Sequence, residues 1–173
     1  HVGEACRAAR EGVGLADLSH AARFTVTGPG AEAMLDRLLC TQLPKRGSVA
    51  VGYALSGLGK VRSEWAVAHP EENSFLLISS AAAERYDLDL LQKARPGDGS
   101  VNVENLTGRE SALAIFGRKA AQLIAHLTEM AESEVDEIDV APATVGFAPV
   151  RILRSGVGGE RGWQVQMQAE FLR

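Results

Sequence analysis

Ala22-Arg23-Phe24-Thr25-Val26-Thr27, then Gly28-Pro29-Gly30, then Ala31 to Cys40: this stretch decides the fold. Phe24 and Val26 alternate with Arg23, Thr25 and Thr27, the period of a half-buried strand. Gly28-Pro29-Gly30 breaks the strand. Met34, Leu35, Leu38 and Leu39 then share one face while Glu32, Asp36 and Arg37 lie off it, so a helix is expected to pack back on the strand. The unit recurs. Val26-Thr27-Gly28 followed by Ala31, Met34, Leu35 and Leu38 reappears as Ile115-Phe116-Gly117 followed by Ala120, Leu123, Ile124 and Leu127. Two such units with meander strands between them predict an α+β architecture of mainly antiparallel sheets backed by helices, as in duplicated ferredoxin-like folds. The segments 22–39 and 112–127 are expected to be structurally equivalent.

Outward from this core, Val49 to Leu55 and Val61 to His69 read as strands joined by Ser56-Gly57-Leu58-Gly59-Lys60, a connection of hairpin length. Phe75 to Ser79 completes an antiparallel meander, which places a meander subdomain at about 47–99 between flanking segments. Ala81 to Ala94 is expected to be helical and to stop at Pro96-Gly97-Asp98-Gly99, with a new strand from Val101. At the N-terminus, Ala5, Cys6, Ala9 and Val13 recur at helical spacing from Val2 to Val13. Glu129 to Asp139 is acidic and reads as a solvated connection. Val150 to Leu153 and Trp163 to Met167 read as strands flanking a glycine-rich run at 155–162.

Composition excludes several function classes. The 46% hydrophobic content of 173 residues is enough for a real core, and a net charge of −4 leaves no basic stripe for neutralising phosphates. No nucleic-acid partner is expected. No run approaches the about 18 apolar residues of a membrane span, and the N-terminus lacks a signal-peptide pattern. Cys6 and Cys40 lie far apart without metal or disulfide spacing, so buried free thiols in a reducing compartment are expected, and no metal. The start at His1 rather than Met is expected to mark a fragment.

The residues with chemical potential are few. A dinucleotide fingerprint must open a helix, whereas a strand follows the glycines at 156–162, so they are expected to shape a hairpin instead. Glu160 sits in that hairpin beside Trp163. Either it is an exposed loop acid or it serves a ligand. On the strand Val61-Arg62-Ser63-Glu64-Trp65-Ala66-Val67, one face carries Val61, Ser63, Trp65 and Val67 and the other Arg62, Glu64 and Ala66. Glu64 is exposed if only the first face is core. If both faces are packed it is a partly buried carboxylate suited to proton handling or to a cationic nitrogen. Asp17, Ser19 and His20 are too close in sequence for a catalytic triad, and a turn with side-chain to backbone bonds is the expected use.

Taken in order, these segments resemble the folate-binding aminomethyltransferase family, which contains the glycine-cleavage T-protein and the folate-binding halves of dimethylglycine and sarcosine dehydrogenases. Gly14-Leu15-Ala16-Asp17-Leu18-Ser19-His20 followed by Phe24 to Glu32 is similar to the family's opening. Tyr53 to Val67 resembles its Tyr-containing strand and glycine hairpin leading to a catalytic aspartate. Arg154 to Trp163 resembles its Gly-Glu-x-Gly-aromatic hairpin, whose glutamate binds the pterin. Four positions depart: Glu64 stands at the catalytic aspartate, Lys60 at the hairpin's second glycine, Val157 at an aromatic, and Arg118 at a proline. The N-terminal stretch Gly3 to Arg10 and Leu77-Ile78-Ser79-Ser80 look closer to the dehydrogenase-linked branch.

The resemblance implies a transferase of one-carbon metabolism that moves an aminomethyl or methylene unit to tetrahydrofolate. The donor would be dimethylglycine, sarcosine or glycine. By position, Glu64 would be catalytic, and Glu160, Tyr53 and Trp163 would bind the folate. It further implies a flavin domain or subunit outside these residues, a C-terminal domain beyond them, and a cytoplasmic or mitochondrial-matrix location. Two alternatives stay open from sequence: a non-catalytic folate-binding or scaffolding module of the same fold, and an unrelated α+β interaction domain. Glu64 and Glu160 are expected to serve one cleft.

Overall fold

A computed structural model describes residues 2–156 and 159–172, apart from the side chain of Ala5; the expectations for Ala5 and Val157 lie outside the described residues. The chain forms two compact units, one from 20–107 and one from 1–19 with 108–173.

In the 20–107 unit the elements are β2 (Ala22–Thr27), α2 (Ala31–Leu38), β3 (Val49–Leu55), β4 (Val61–Glu71), β5 (Ser74–Ser79), α3 (Glu84–Ala94) and β6 (Asn102–Asn105). The five strands form one antiparallel sheet in the order β3-β4-β5-β2-β6. Removing β3 leaves β2-α2-β4-β5-α3-β6 with order β6-β2-β5-β4, the split βαβ arrangement of a ferredoxin-like unit. Phe24, Val26, Trp65, Val67, Phe75 and Leu77 bury one face of the sheet with Met34 and Leu35 of α2 and Leu91 of α3. The sequence reading of β2 needs correcting. It is not half-buried, because Arg23 is fully buried as well, donating through Nη1 to the Ala21 carbonyl at 3.0 Å.

The other unit holds α1 (Val2–Glu11), β1 (Gly14–Asp17), β7 (Glu110–Phe116), α4 (Ala120–Thr128), α5 (Glu132–Glu137), β8 (Val140–Val145), β9 (Ala148–Arg154) and β10 (Gly162–Gln168). Its antiparallel sheet has the order β1-β7-β10-β9-β8. This is the first sheet's order with β7 in the place of β2, β10-β9-β8 in the place of β5-β4-β3, and β1 in the place of β6. The helix and edge strand that follow the meander in one unit, α3 and β6, come from the N-terminus in the other, as α1 and β1. The second unit is therefore a circular permutant of the first. Ile115, Ile124, Val135, Ile152 and Trp163 form its core.

The repeated glycine has a physical cause. Gly28 and Gly117 have φ of +112° and +107°, where side chains are strained. A Cβ would strike the Ser100 carbonyl at Gly28 and the Ala9 carbonyl at Gly117. Matching backbone bonds follow: Ala31 N–H to Gly28 at 2.9 Å and Ala120 N–H to Gly117 at 3.1 Å, then Gly30 N–H to Ser100 and Lys119 N–H to Gly12 at 3.2 and 3.0 Å.

Further differences from the sequence reading are local. Cys6 and Cys40 are exposed rather than buried, Cys6 on α1, whose described residues include no buried one, and Cys40 in the loop that follows α2. Gly14–Asp17 is an edge strand, and the acidic segment contains α5, whose Ala131 N–H is capped by Glu134 Oε2 at 2.8 Å. The expected turn chemistry is present, with Ser19 N–H donating to Asp17 Oδ1 at 2.8 Å. Among the described residues no helix is long and apolar enough to cross a membrane.

Candidate functional site

Glu64 lies on β4 directly opposite Tyr53 of β3. Ser63, Trp65 and Val67 are buried, so the alternation that buries the tryptophan exposes Glu64, the first of the two readings left open by the sequence. Tyr53, its cross-strand neighbour, is half-buried. No hydrogen bond or ion pair among the described residues engages the Glu64 carboxylate. Arg62, two positions earlier on the same face, donates through Nε to the Tyr86 hydroxyl at 2.6 Å and lies 5.4 Å over the Tyr86 ring. The hairpin before Glu64 is closed by the Ser56 N–H bond to Lys60 O at 2.8 Å and by Gly59 at φ +72°. The left-handed backbone falls on Gly59 and not on Lys60, so a lysine is sterically acceptable there.

The β4–β5 ladder ends at the pair Ala66 and Ile78. Beyond it a pocket of about 520 Å³ opens, bordered by Glu64 and Ser63 on one side, Ser79 and Ser80 on the other, and Asp87 of α3. Asp87 is 1% exposed. Its Oδ1 accepts from Ser63 Oγ and its Oδ2 from Ser79 Oγ, each at 2.6 Å, the length of a charge-assisted hydroxyl bond. Sequence reading missed Asp87. A signal was present, because Ser63 on a face shared with Trp65 and Val67 must find a partner inside the protein.

Glu160 belongs to the other unit. It borders a pocket of about 280 Å³ together with Gly117, Arg118, Asp136, Arg161 and Trp163. Its Oε1 accepts from Arg10 Nε at 3.0 Å, a pairing between residues 150 apart that no local pattern predicts. Trp163 is 1% exposed, inside the core cluster. The guanidinium carbons of Arg154 and Arg161 lie 5.7 and 5.5 Å from its ring, and its Nε1 donates to the Ile138 carbonyl at 3.4 Å. Arg161 is anchored by Asp136 Oδ1 at 3.1 Å and Arg154 by Asp139 Oδ1 at 2.6 Å. The tryptophan thus braces the hairpin that carries Glu160. The structure brings together Tyr53 with Glu64, and Glu160 with Trp163, each pair within its own unit. Among the described residues no cluster of His, Cys, Asp and Glu could hold a metal.

The chain is similar to the mitochondrial dimethylglycine dehydrogenase of Rattus norvegicus, 27% identical over 98% of this chain and 20% of that protein. It is 32% identical to the aminomethyltransferase of Thermus thermophilus over 94% of this chain and 47% of the relative. The chain thus spans about a fifth to a half of these relatives' length. Among solved structures, the glycine cleavage system aminomethyltransferase T from Bartonella henselae superposes with a TM-score of 0.82 at 26% identity, covering 98% of this chain and 46% of that one. The family model described as the GCVT N-terminal domain matches residues 1–173, and the chain belongs to that family.

Proposed function

We propose that this chain binds tetrahydrofolate and acts in the transfer of an aminomethyl or methylene unit to it, with the carbon coming from a methylated amine such as dimethylglycine or sarcosine, or from glycine. What carries the reading is that the two carboxylates on the stretches that resemble the family's motifs, Glu64 and Glu160, each border a pocket. The pterin edge is rich in N–H donors, and a carboxylate is acceptor-only, so Glu160 suits it chemically. With Oε1 held by Arg10, the carboxylate is oriented before a ligand arrives, and Trp163 fixes the strand beneath it. Tetrahydrofolate supplies a nucleophilic secondary amine.

Glu64, exposed and without a hydrogen-bond or ion-pair partner among the described residues, takes the proton that the amine loses or steadies positive charge on the transferred unit. Tyr53 offers a hydroxyl and a ring beside it. A flavin domain or subunit oxidising the N-methyl amine would supply an electrophilic iminium carbon. The folate nitrogen would bond to that carbon, the C–N bond to the donor would break and the demethylated amine would leave with a proton. Holding both reactants removes much of the entropic barrier. A non-catalytic folate-binding or scaffolding role is favoured by one observation, the glutamate in place of the family's aspartate, which reaches one methylene further.

Tetrahydrofolate-dependent, formaldehyde- or amine-dependent turnover by the full-length protein tests the proposal. Product formation that requires both reactants and the protein is expected. Folate binding without turnover would move the chain to the scaffolding role.

A further inference from the structure

We propose that Asp87, through Ser63 and Ser79, is a positioning residue for Glu64. The inference rests on the reading of Glu64 as the catalytic carboxylate. β4 and β5 are paired as far as Ala66 and Ile78, and then diverge. Glu64 stands on the diverging part of β4, still registered with Tyr53 of β3. One edge of the strand that carries it has therefore lost the ladder that would fix it. Asp87 replaces the missing pairs. From α3 it reaches both sides of the gap, one carboxylate oxygen taking the hydroxyl of Ser63 and the other that of Ser79, each at 2.6 Å.

A buried carboxylate is costly unless its oxygens are bonded, so burial of this group keeps both hydroxyls engaged. Ser63 immediately precedes Glu64, and a strand held at one residue sets the direction of the next. The clamp thus fixes both the width of the gap and the side from which Glu64 overlooks it. Asp87 is directed to the two hydroxyls and acts through them, while Glu64, unengaged among the described residues, lines the same pocket.

The test uses the full-length protein with Ser63→Ala, Ser79→Ala and Ser79→Thr, and Glu64→Gln as the reference. Asp87→Asn is less informative alone, because it turns an amide donor toward a hydroxyl inside the protein and can fail to fold. kcat and KM are read in tetrahydrofolate-dependent turnover. Ser63→Ala and Ser79→Ala should each lower kcat on the order of ten- to a hundredfold, the cost of misplacing a reacting group by an ångström or less. KM for tetrahydrofolate should stay within about twofold, because the affected interaction belongs to the transition state. Ser79→Thr keeps the hydroxyl on a strand that favours β-branched residues and should restore kcat.

Wild-type kcat in both alanine variants beside an impaired Glu64→Gln would overturn the positioning role and leave Glu64 catalytic. A loss that Ser79→Thr does not restore would also overturn it. Undiminished turnover in Glu64→Gln removes the catalytic reading itself, and the positioning role with it.

Discussion

Glu64 and Glu160 are the same residue type in different surroundings, and the proposed function assigns them different work on that ground. Glu160 has one oxygen tied to Arg10 and belongs to a braced hairpin, which suits a fixed acceptor. Glu64 is unengaged among the described residues, which suits a group that meets charge only as it develops. Replacing Glu64 by Gln in the full-length protein should therefore lower turnover while leaving tetrahydrofolate affinity within a few-fold. Paired steady-state and equilibrium-binding measurements check this. At this scale the sequence singles out both carboxylates as candidates, because each falls on a stretch that resembles a family motif. It does not single out Asp87 and Arg10: Ser63 lies 24 residues from Asp87, and Arg10 lies 150 residues from Glu160, so only folding makes them neighbours.

Among the elements, the strand, glycine, helix unit supplies an interior strand of each sheet and the helix that follows it. Gly28→Ala should destabilise the protein by about 1–3 kcal/mol, since it adds strain at positive φ to a collision with backbone that cannot turn away. Chemical denaturation reads this as a lower midpoint at unchanged slope. Gly117→Ala should behave alike, because its φ and its neighbouring carbonyl are alike. Helices α2 and α4 and the meander were legible from apolar periodicity. The strand β1, with four residues, is too short to show a period, and half its residues are exposed. In α5 a single buried residue, Val135, leaves the acidic composition to dominate the reading. Arg23 misled for another reason, since a buried arginine in an interior strand looks like the solvent face of a half-buried one.

For the molecule as a whole, duplication was legible because the two copies kept the glycine that their backbones require. The circular permutation was not, as it depends on which strand the N-terminal segment joins. The fold class and family followed from the sequence; the pockets bordered by Glu64 and Glu160 needed coordinates. A specific ligand of the native state also raises stability by mass action. Tetrahydrofolate at a hundred times its Kd should add about 2.7 kcal/mol and shift the thermal midpoint of the full-length protein upward. Thermal scans across folate concentrations check this.

The most direct test of a folate-binding role is a calorimetric titration of tetrahydrofolate into the full-length protein and its Glu160→Gln variant. The wild type should bind, and the variant should bind more weakly by about 1.5–3 kcal/mol, because the amide turns a donor toward the pterin's own donors. Absence of binding to the wild type, or equal binding by both, would contradict the assignment.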